Sequence, residues 1–291
     1  MLTYLCNKAV LTSLIFLISC GSTKQDHSTN IKNSNSEKVY IYDQETNKKL
    51  KQAEDFINND QYDKAFPILL KLAKQGNPIA QNDIGVGYQY GFNGITDEKK
   101  AIEWYTLSAN QNYAPALHNL GLLEFNKAKN DSDYKKALDF FLRAEKQNHY
   151  ESISTIGIFY KNGIIYPKNL TKSIEKFKIA AENGNASGQF NLAQAYYYGE
   201  GVQQDFKKSL EWYEKSSEQN YEAATIQLAK LYFSGKGTSR NINKSIELLK
   251  PIAESGNATA QYNLSIAYRE NNDNQNFSLW KNIYESNPKK D

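Results

Sequence analysis

Residues 186–221 read ASGQFNLAQAYYYGEGVQQDFKKSLEWYEKSSEQNY, and this stretch decides the fold. Gln189, Leu192, Ala193 and Tyr196 fall at helical spacing, Gly199-Glu200-Gly201 interrupts them, and Leu210, Trp212, Tyr213 and Ser216 resume a second helical stripe. The stretch predicts a helical hairpin. Its pattern recurs every 36 positions from residue 76 to residue 268. One column holds Gly85, Gly121, Gly157, Ala193, Ala229 and Ser265; another holds Lys100, Lys136, Lys172, Lys208 and Lys244. A fixed period of this length marks units that cannot bury an apolar face alone and so stack on their neighbours.

Each column has a physical reason. Asp97, Asp133, Asn169, Asp205 and Asn241 stand just before the second helix, where a short acceptor caps orphan backbone N–H groups for roughly 1 kcal/mol each. Gly91, Gly163, Gly199 and Gly235 are placed to end the first helix in a left-handed conformation. The small column lets two helices approach, with Tyr88, Tyr160, Tyr196, Tyr232 and Tyr268 beside it. Trp104-Tyr105, Phe140-Phe141, Lys176-Phe177, Trp212-Tyr213 and Leu248-Leu249 bring bulk from the second helix.

The joint pattern L-G-x-x-Y, G-x-G-V, D-x-x-K-A/S-x-x-W-Y and a small pair such as Ala180-Ala181 resembles the Sel-one-like repeat, a relative of the tetratricopeptide repeat with a longer loop. The resemblance implies an all-α, right-handed α-solenoid of stacked helical hairpins, with five Sel-one-like repeats over 78–257. Repeat 114–149 carries Glu124 and Lys127 where others have tyrosine and glycine, so its loop should depart from the pattern. Residues 41–77, with Leu50, Ala53, Phe56, Tyr62, Ala65, Ile68, Leu69 and Leu72, read as an N-terminal tetratricopeptide-like hairpin, and 258–291 as a C-terminal capping repeat with a shortened loop.

The N-terminus reads as an address. Residues 9–18, AVLTSLIFLI, follow Lys8 and are too short to span a bilayer core, which needs about 20 residues. Leu17-Ile18-Ser19-Cys20-Gly21 resembles the bacterial lipobox, which implies a signal peptide over 1–19, lipidation at Cys20, and with Ser22 a periplasm-facing place at the outer membrane. Residues 20–40 are then the lipidated cysteine and a polar tether with almost nothing apolar to offset the entropy of ordering.

Composition narrows the function classes. The 291 residues carry a formal charge of +3 with no dense Lys/Arg stripe, so the phosphate contacts a nucleic-acid binder needs are lacking. The two cysteines, Cys6 and Cys20, both precede the repeats, so no disulfide framework or cysteine-based metal site is expected in the body. His118 and His149 occupy different columns, and His27 lies in the tether, so neither a metal site nor a catalytic triad is assembled and no cofactor is expected.

A surface must then carry the function. In tetratricopeptide-like arrays the first helix of each hairpin lines the concave face. That resemblance selects Asn82, Val86 and Tyr90; His118, Leu122 and Phe125; Ser154, Ile158 and Lys161; Phe190, Gln194 and Tyr197; Ile226, Lys230 and Phe233; Tyr262, Ile266 and Arg269 as contacts for a protein or peptide. The expectation is a non-enzymatic adaptor held at the envelope by its lipid. A sharper version, from the resemblance of lipobox-bearing family members, is an immunity protein neutralising a phospholipase-type toxin. The rival is a cell-wall enzyme of β-lactamase type, which the absence of paired helical cysteines and of a well-placed S-x-x-K motif disfavours.

Overall fold

A computed structural model describes residues 42–92 and 94–289. The expected leader at 1–19, Cys20 and the tether over 20–40 lie outside the described residues. Among those described, fourteen helices run in order: α1 Gln44–Asn58, α2 Tyr62–Lys74, α3 Pro78–Tyr90, α4 Glu98–Asn110, α5 Ala114–Lys127, α6 Asp131–Glu145, α7 Tyr150–Asn162, α8 Leu170–Glu182, α9 Ala186–Tyr198, α10 Phe206–Glu218, α11 Glu222–Ser234, α12 Ile242–Glu254, α13 Ala258–Glu270 and α14 Asn274–Glu285. They form two compact units, one ending at Asn169 with α1–α7 and one starting at Leu170 with α8–α14. Within each unit every helix packs against the next in sequence.

The aromatic half of the second helix is the core. Tyr105, Phe141, Phe177, Tyr213 and Leu249 recur in one column and are each no more than 1% exposed. Burying a side chain of this size stabilises by about 1.5–3 kcal/mol. The small column faces it: a Cβ built at Gly85 or Gly121 would lie 2.6 Å from the ring of Tyr105 or Phe141. Trp104, Phe140, Trp212 and Leu248, one residue earlier, pack only partly buried against the edges of these clusters.

Polar side chains join helices both within hairpins and from one hairpin to the next. Ser108 Oγ donates to Pro78 O at 2.6 Å and, three repeats on, Ser216 Oγ donates to Ala186 O at 2.8 Å. Buried Gln81, Gln189 and Gln261 donate to the last-turn carbonyls of Ala73, Ala181 and Ala253. Two of these glutamines in turn accept from Gln111 at 2.8 Å and Gln219 at 2.7 Å. Each bond satisfies a group that would otherwise be buried unpaired, at a cost of about 1–3 kcal/mol.

Turns follow equally strict rules. The predicted caps Asp97, Asp205 and Asn241 accept from the backbone N–H of Lys100, Lys208 and Lys244 at 2.9–3.0 Å, and Gly91, Gly163, Gly199 and Gly235 are left-handed with φ between 70° and 74°. Between hairpins another column, Gly76, Asn112, Asn148, Gly184, Asn220 and Gly256, is left-handed at every member. Only glycine and asparagine occupy it, the two residues that enter this region most cheaply.

Asp133 is a correction. In repeat 114–149 the helix N-cap is Asn130, whose Oδ1 accepts from Ser132 N and Asp133 N, while Asp133 lies in the first turn and accepts from Lys129 N at 2.9 Å. Lacking the turn glycines, α5 and α6 each grow beyond the 13 residues usual here, to 14 and 15, and the cap moves three positions toward the N-terminus.

Candidate interaction surface

The candidate residues divide by burial. In the first unit Asn82, His118, Phe125, Ser154 and Ile158 are buried, Val86, Leu122 and Lys161 are half-buried and Tyr90 is exposed. In the second, Phe190 and Ile226 are buried, Gln194, Tyr197, Phe233 and Ile266 are half-buried, and Lys230, Tyr262 and Arg269 are exposed. The column Asn82, His118, Ser154, Phe190, Ile226 and Tyr262 is therefore a seam between repeats. Asn82 Oδ1 accepts from Asn119 of the next hairpin at 3.0 Å, and Phe190 packs against Tyr213 and Tyr221 at 5.8 and 5.3 Å between ring centres. Of this column only Tyr262 is exposed, and its ring meets Tyr284 of α14 at 5.3 Å. Tyr90 also belongs elsewhere: the 36-residue register pairs it with Tyr198, and Gln89 fills the column of Phe125, Lys161, Tyr197, Phe233 and Arg269.

One cluster looks chemical. His118 Nδ1 and His149 Nδ1 each lie 3.0 Å from Ser152 Oγ, and the two rings stand 5.0 Å apart. A hydroxyl has one proton, so it donates to one ring and accepts from the other, and the two imidazoles hold opposite tautomers. Burial pushes His118 well below the usual histidine range, helped by its neighbour, and lowers His149 against the opposing pull of Glu151, 3.6 Å from Nε2. Ser152 is fully buried, so no substrate reaches it; the cluster ties α5 to the start of α7. Among the described residues no three His, Cys, Asp or Glu side chains gather as a metal set.

The second unit carries an edge that single-repeat reasoning missed. Lys236 Nζ donates to Tyr197 OH at 3.1 Å and sits 5.0 Å from the ring centres of both Tyr197 and Phe206. Arg240 Nε donates to Phe233 O at 3.1 Å, its guanidinium lies 5.6 Å from the Phe233 ring, and its Nη2 is 3.4 Å from Glu270. Arg269 lies 6.0 Å from the Phe277 ring. Lys236 and Arg240 come from a loop, outside the first-helix columns that the resemblance selects; the available signal is a cation placed a few columns after an aromatic helix end.

Comparison with known proteins fixes the family. The Sel1 repeat pattern matches residues 78–113, 114–149, 156–185, 186–221 and 223–257. The chain belongs to the Sel1 repeat family. The fold of this Sel1 repeat chain is an all-helical repeat solenoid, as in the crystal structure of a Sel1 repeat protein from Oxalobacter formigenes, with 26% identity, a TM-score of 0.62, and 81% of this chain and 96% of that one covered. An immunity protein from Pseudomonas aeruginosa shares the fold at 16% identity and a TM-score of 0.54, over 87% of this chain and 89% of its own. A sel1-like repeat-containing protein of Acanthamoeba polyphaga mimivirus is 42% identical over 67 residues, which is 23% of this chain and 13% of the viral protein's length.

Proposed function

We propose that this Sel1 repeat chain is a non-catalytic scaffold that holds another protein and is tethered in a bacterial envelope, facing the periplasm, through lipidated Cys20. The observation that carries the reading is the division of side chains in the second unit. The histidine–hydroxyl cluster found among the described residues is sealed elsewhere, while Tyr197, Lys230, Phe233 and Arg269 reach the surface from successive first helices, a mixture of aromatic and cationic side chains typical of binding hot spots. The Leu17–Gly21 pattern supports the anchor, because acyl chains gain roughly 0.8 kcal/mol per buried CH₂.

Photo-crosslinking in intact cells tests the scaffold. Capture of a specific protein should be lost in the Tyr197→Ala/Phe233→Ala double variant with helix content unchanged by circular dichroism; equal capture would move the surface elsewhere. Cell fractionation tests the anchor, since Cys20→Ala should move the chain from the membrane to the soluble fraction. Nitrocefin and peptidoglycan should both be left intact by the purified protein.

A second, narrower reading is neutralisation of a phospholipase-type toxin. It draws on the architecture shared with the Pseudomonas aeruginosa immunity protein and on the secretion pattern at the N-terminus. A candidate toxin encoded beside this chain, inhibited at equimolar ratio, would support it, and undiminished lipase activity in excess of this protein would end it.

A further inference from the structure

We propose that the loop edge of the second unit, where Lys230, Lys236, Arg240 and Arg269 stand among Tyr197, Phe206 and Phe233, binds an acidic, aromatic-containing segment of the partner protein. The inference rests on the protein-binding reading above and names the chemistry of what is bound.

The edge is continuous across three hairpins. Lys236 of one hairpin covers Tyr197 and Phe206 of the one before it, and Arg240 reaches from Phe233 to Glu270 of the one after it. Its charge is one-sided. Glu270 serves both Arg240, at 3.4 Å, and Arg269, at 3.9 Å, whereas no carboxylate among the described residues pairs with Lys236 or Lys230. Asp205 of the same edge is engaged by Lys208, so Lys230 and Lys236 remain as positive charges that a partner's Glu or Asp side chains would neutralise.

Two of the cations, Lys236 and Arg240, are also held in place. A free lysine loses much rotamer freedom on binding, but Lys236 is already fixed between two rings and a phenol oxygen, so most of that loss precedes association. Arg240 is pinned by its bond to Phe233 O, in the same way that Gln204 donates to Tyr197 O at 2.8 Å one repeat earlier. Exposed Tyr198, at 4.8 Å from Tyr197 and 59% accessible, extends the edge with an aromatic face.

The feature is not a general property of the repeat. The columns of Lys230, Lys236 and Arg240 hold Val86, Phe92 and Thr96 in the first hairpin of the array, and Leu122, Ala128 and Ser132 in the second. The third hairpin has Ile158, Ile164 and Lys168 there and the fourth Gln194, Glu200 and Gln204, so all three columns are cationic together only in the hairpin of Lys236, where Tyr197 and Phe206 lie beneath. Four cations on two hairpins are too sparse for the phosphate track a nucleic acid needs.

Binding of a fluorescent peptide of alternating glutamate and tryptophan to the full-length protein tests this. The expected result is saturable binding that weakens as salt rises, at least tenfold loss in Lys236→Gln/Arg240→Gln, and no comparable binding of the glutamine-for-glutamate peptide. Urea unfolding should show the variant as stable as the parent. Equal binding of the two peptides, or binding unaffected by the substitutions, would overturn the proposal, as would substitution-sensitive binding to phosphatidylglycerol vesicles in place of the peptide. The intact-cell crosslinking separates the two levels: a partner whose capture needs Tyr197 and Phe233 but survives Lys236→Gln/Arg240→Gln leaves the surface standing and removes this inference.

Discussion

At Gly121 the backbone of α5 runs so close to the Phe141 ring that one added methyl group would have to displace it. Overpacking of this kind costs about 1–3 kcal/mol, so Gly121→Ala should lower the urea midpoint accordingly. The same columns at a later repeat hold Ala229 with Leu249 in one cluster, where a slimmer side chain leaves room for the methyl. Adding Phe141→Leu to Gly121→Ala should therefore cost less than the two changes summed, a non-additivity that a double-mutant cycle reads directly. Such pairs were legible in the sequence because a small residue and a bulky one recur together every 36 positions. Asn130 was not, since the register points to Asp133 and only the lengthened helices of that repeat reveal which side chain meets the first free N–H groups. Asn130→Ala should cost about 1 kcal/mol in the same assay, the usual worth of a cap.

Between α5 and α7 the joint is made by His118, Ser152 and His149, and its protonation couples to stability. Both histidines are neutral when folded because burial lowers their affinity for a proton, whereas an unfolded histidine titrates near 6.5. The unfolded chain thus binds more protons as the pH drops below about 6.5, and folding free energy falls there by up to about 1.4 kcal/mol per pH unit for each histidine. Phe141, at 5.5 Å, adds no charge from α6, and the carboxylate of Glu151 beside His149 softens the effect at that ring. Urea unfolding between pH 5 and 7.5 should show this slope, and His118→Asn should flatten it; identical slopes would exclude the joint as its source. The sequence set these two histidines in unrelated columns, and correctly so within one hairpin. They meet only because hairpins stack, and a distance between repeats is not written in the spacing inside any one of them. The burial of the Asn82 column stays hidden for the same reason, for periodicity reveals which stripe is apolar and not how deeply the next helix covers it.

On the scale of the molecule, stability in such an array is close to a sum of hairpins and their junctions. The last junction of the second unit is closed by Trp280, 7% exposed, in a cluster with Ile226, Leu249, Ala253 and Leu264. Trp280→Ala should remove about 3–5 kcal/mol, and hydrogen exchange should show the loss concentrated in α13 and α14 while amides of α9 keep their protection. A uniform loss through all seven helices of the unit would contradict this serial arrangement. Much of the architecture could be read beforehand, down to Gln189 and Leu192 on one stripe and Tyr213 on the other. The cationic edge could not, because Lys236 and Arg240 gain their meaning from rings contributed by a neighbouring turn of the array.

The left-handed residue between hairpins has a consequence for how such chains change length. Wherever the joint residue is glycine the next residue is asparagine, at 76–77, 184–185 and 256–257, and Asn77, Asn185 and Asn257 each cap the helix they begin. Where it is asparagine, an aromatic or imidazole residue follows: Tyr113, His149 and Tyr221. Every bend thus carries its own dipeptide, and the long-range bonds onto it, Gln111 to Gly76 O and Asn287 to Gly256 O, come from about one period away. Recombination that duplicated or excised a whole period would leave each surviving corner with its own instructions intact, so lineages can lengthen or trim the array and still fold.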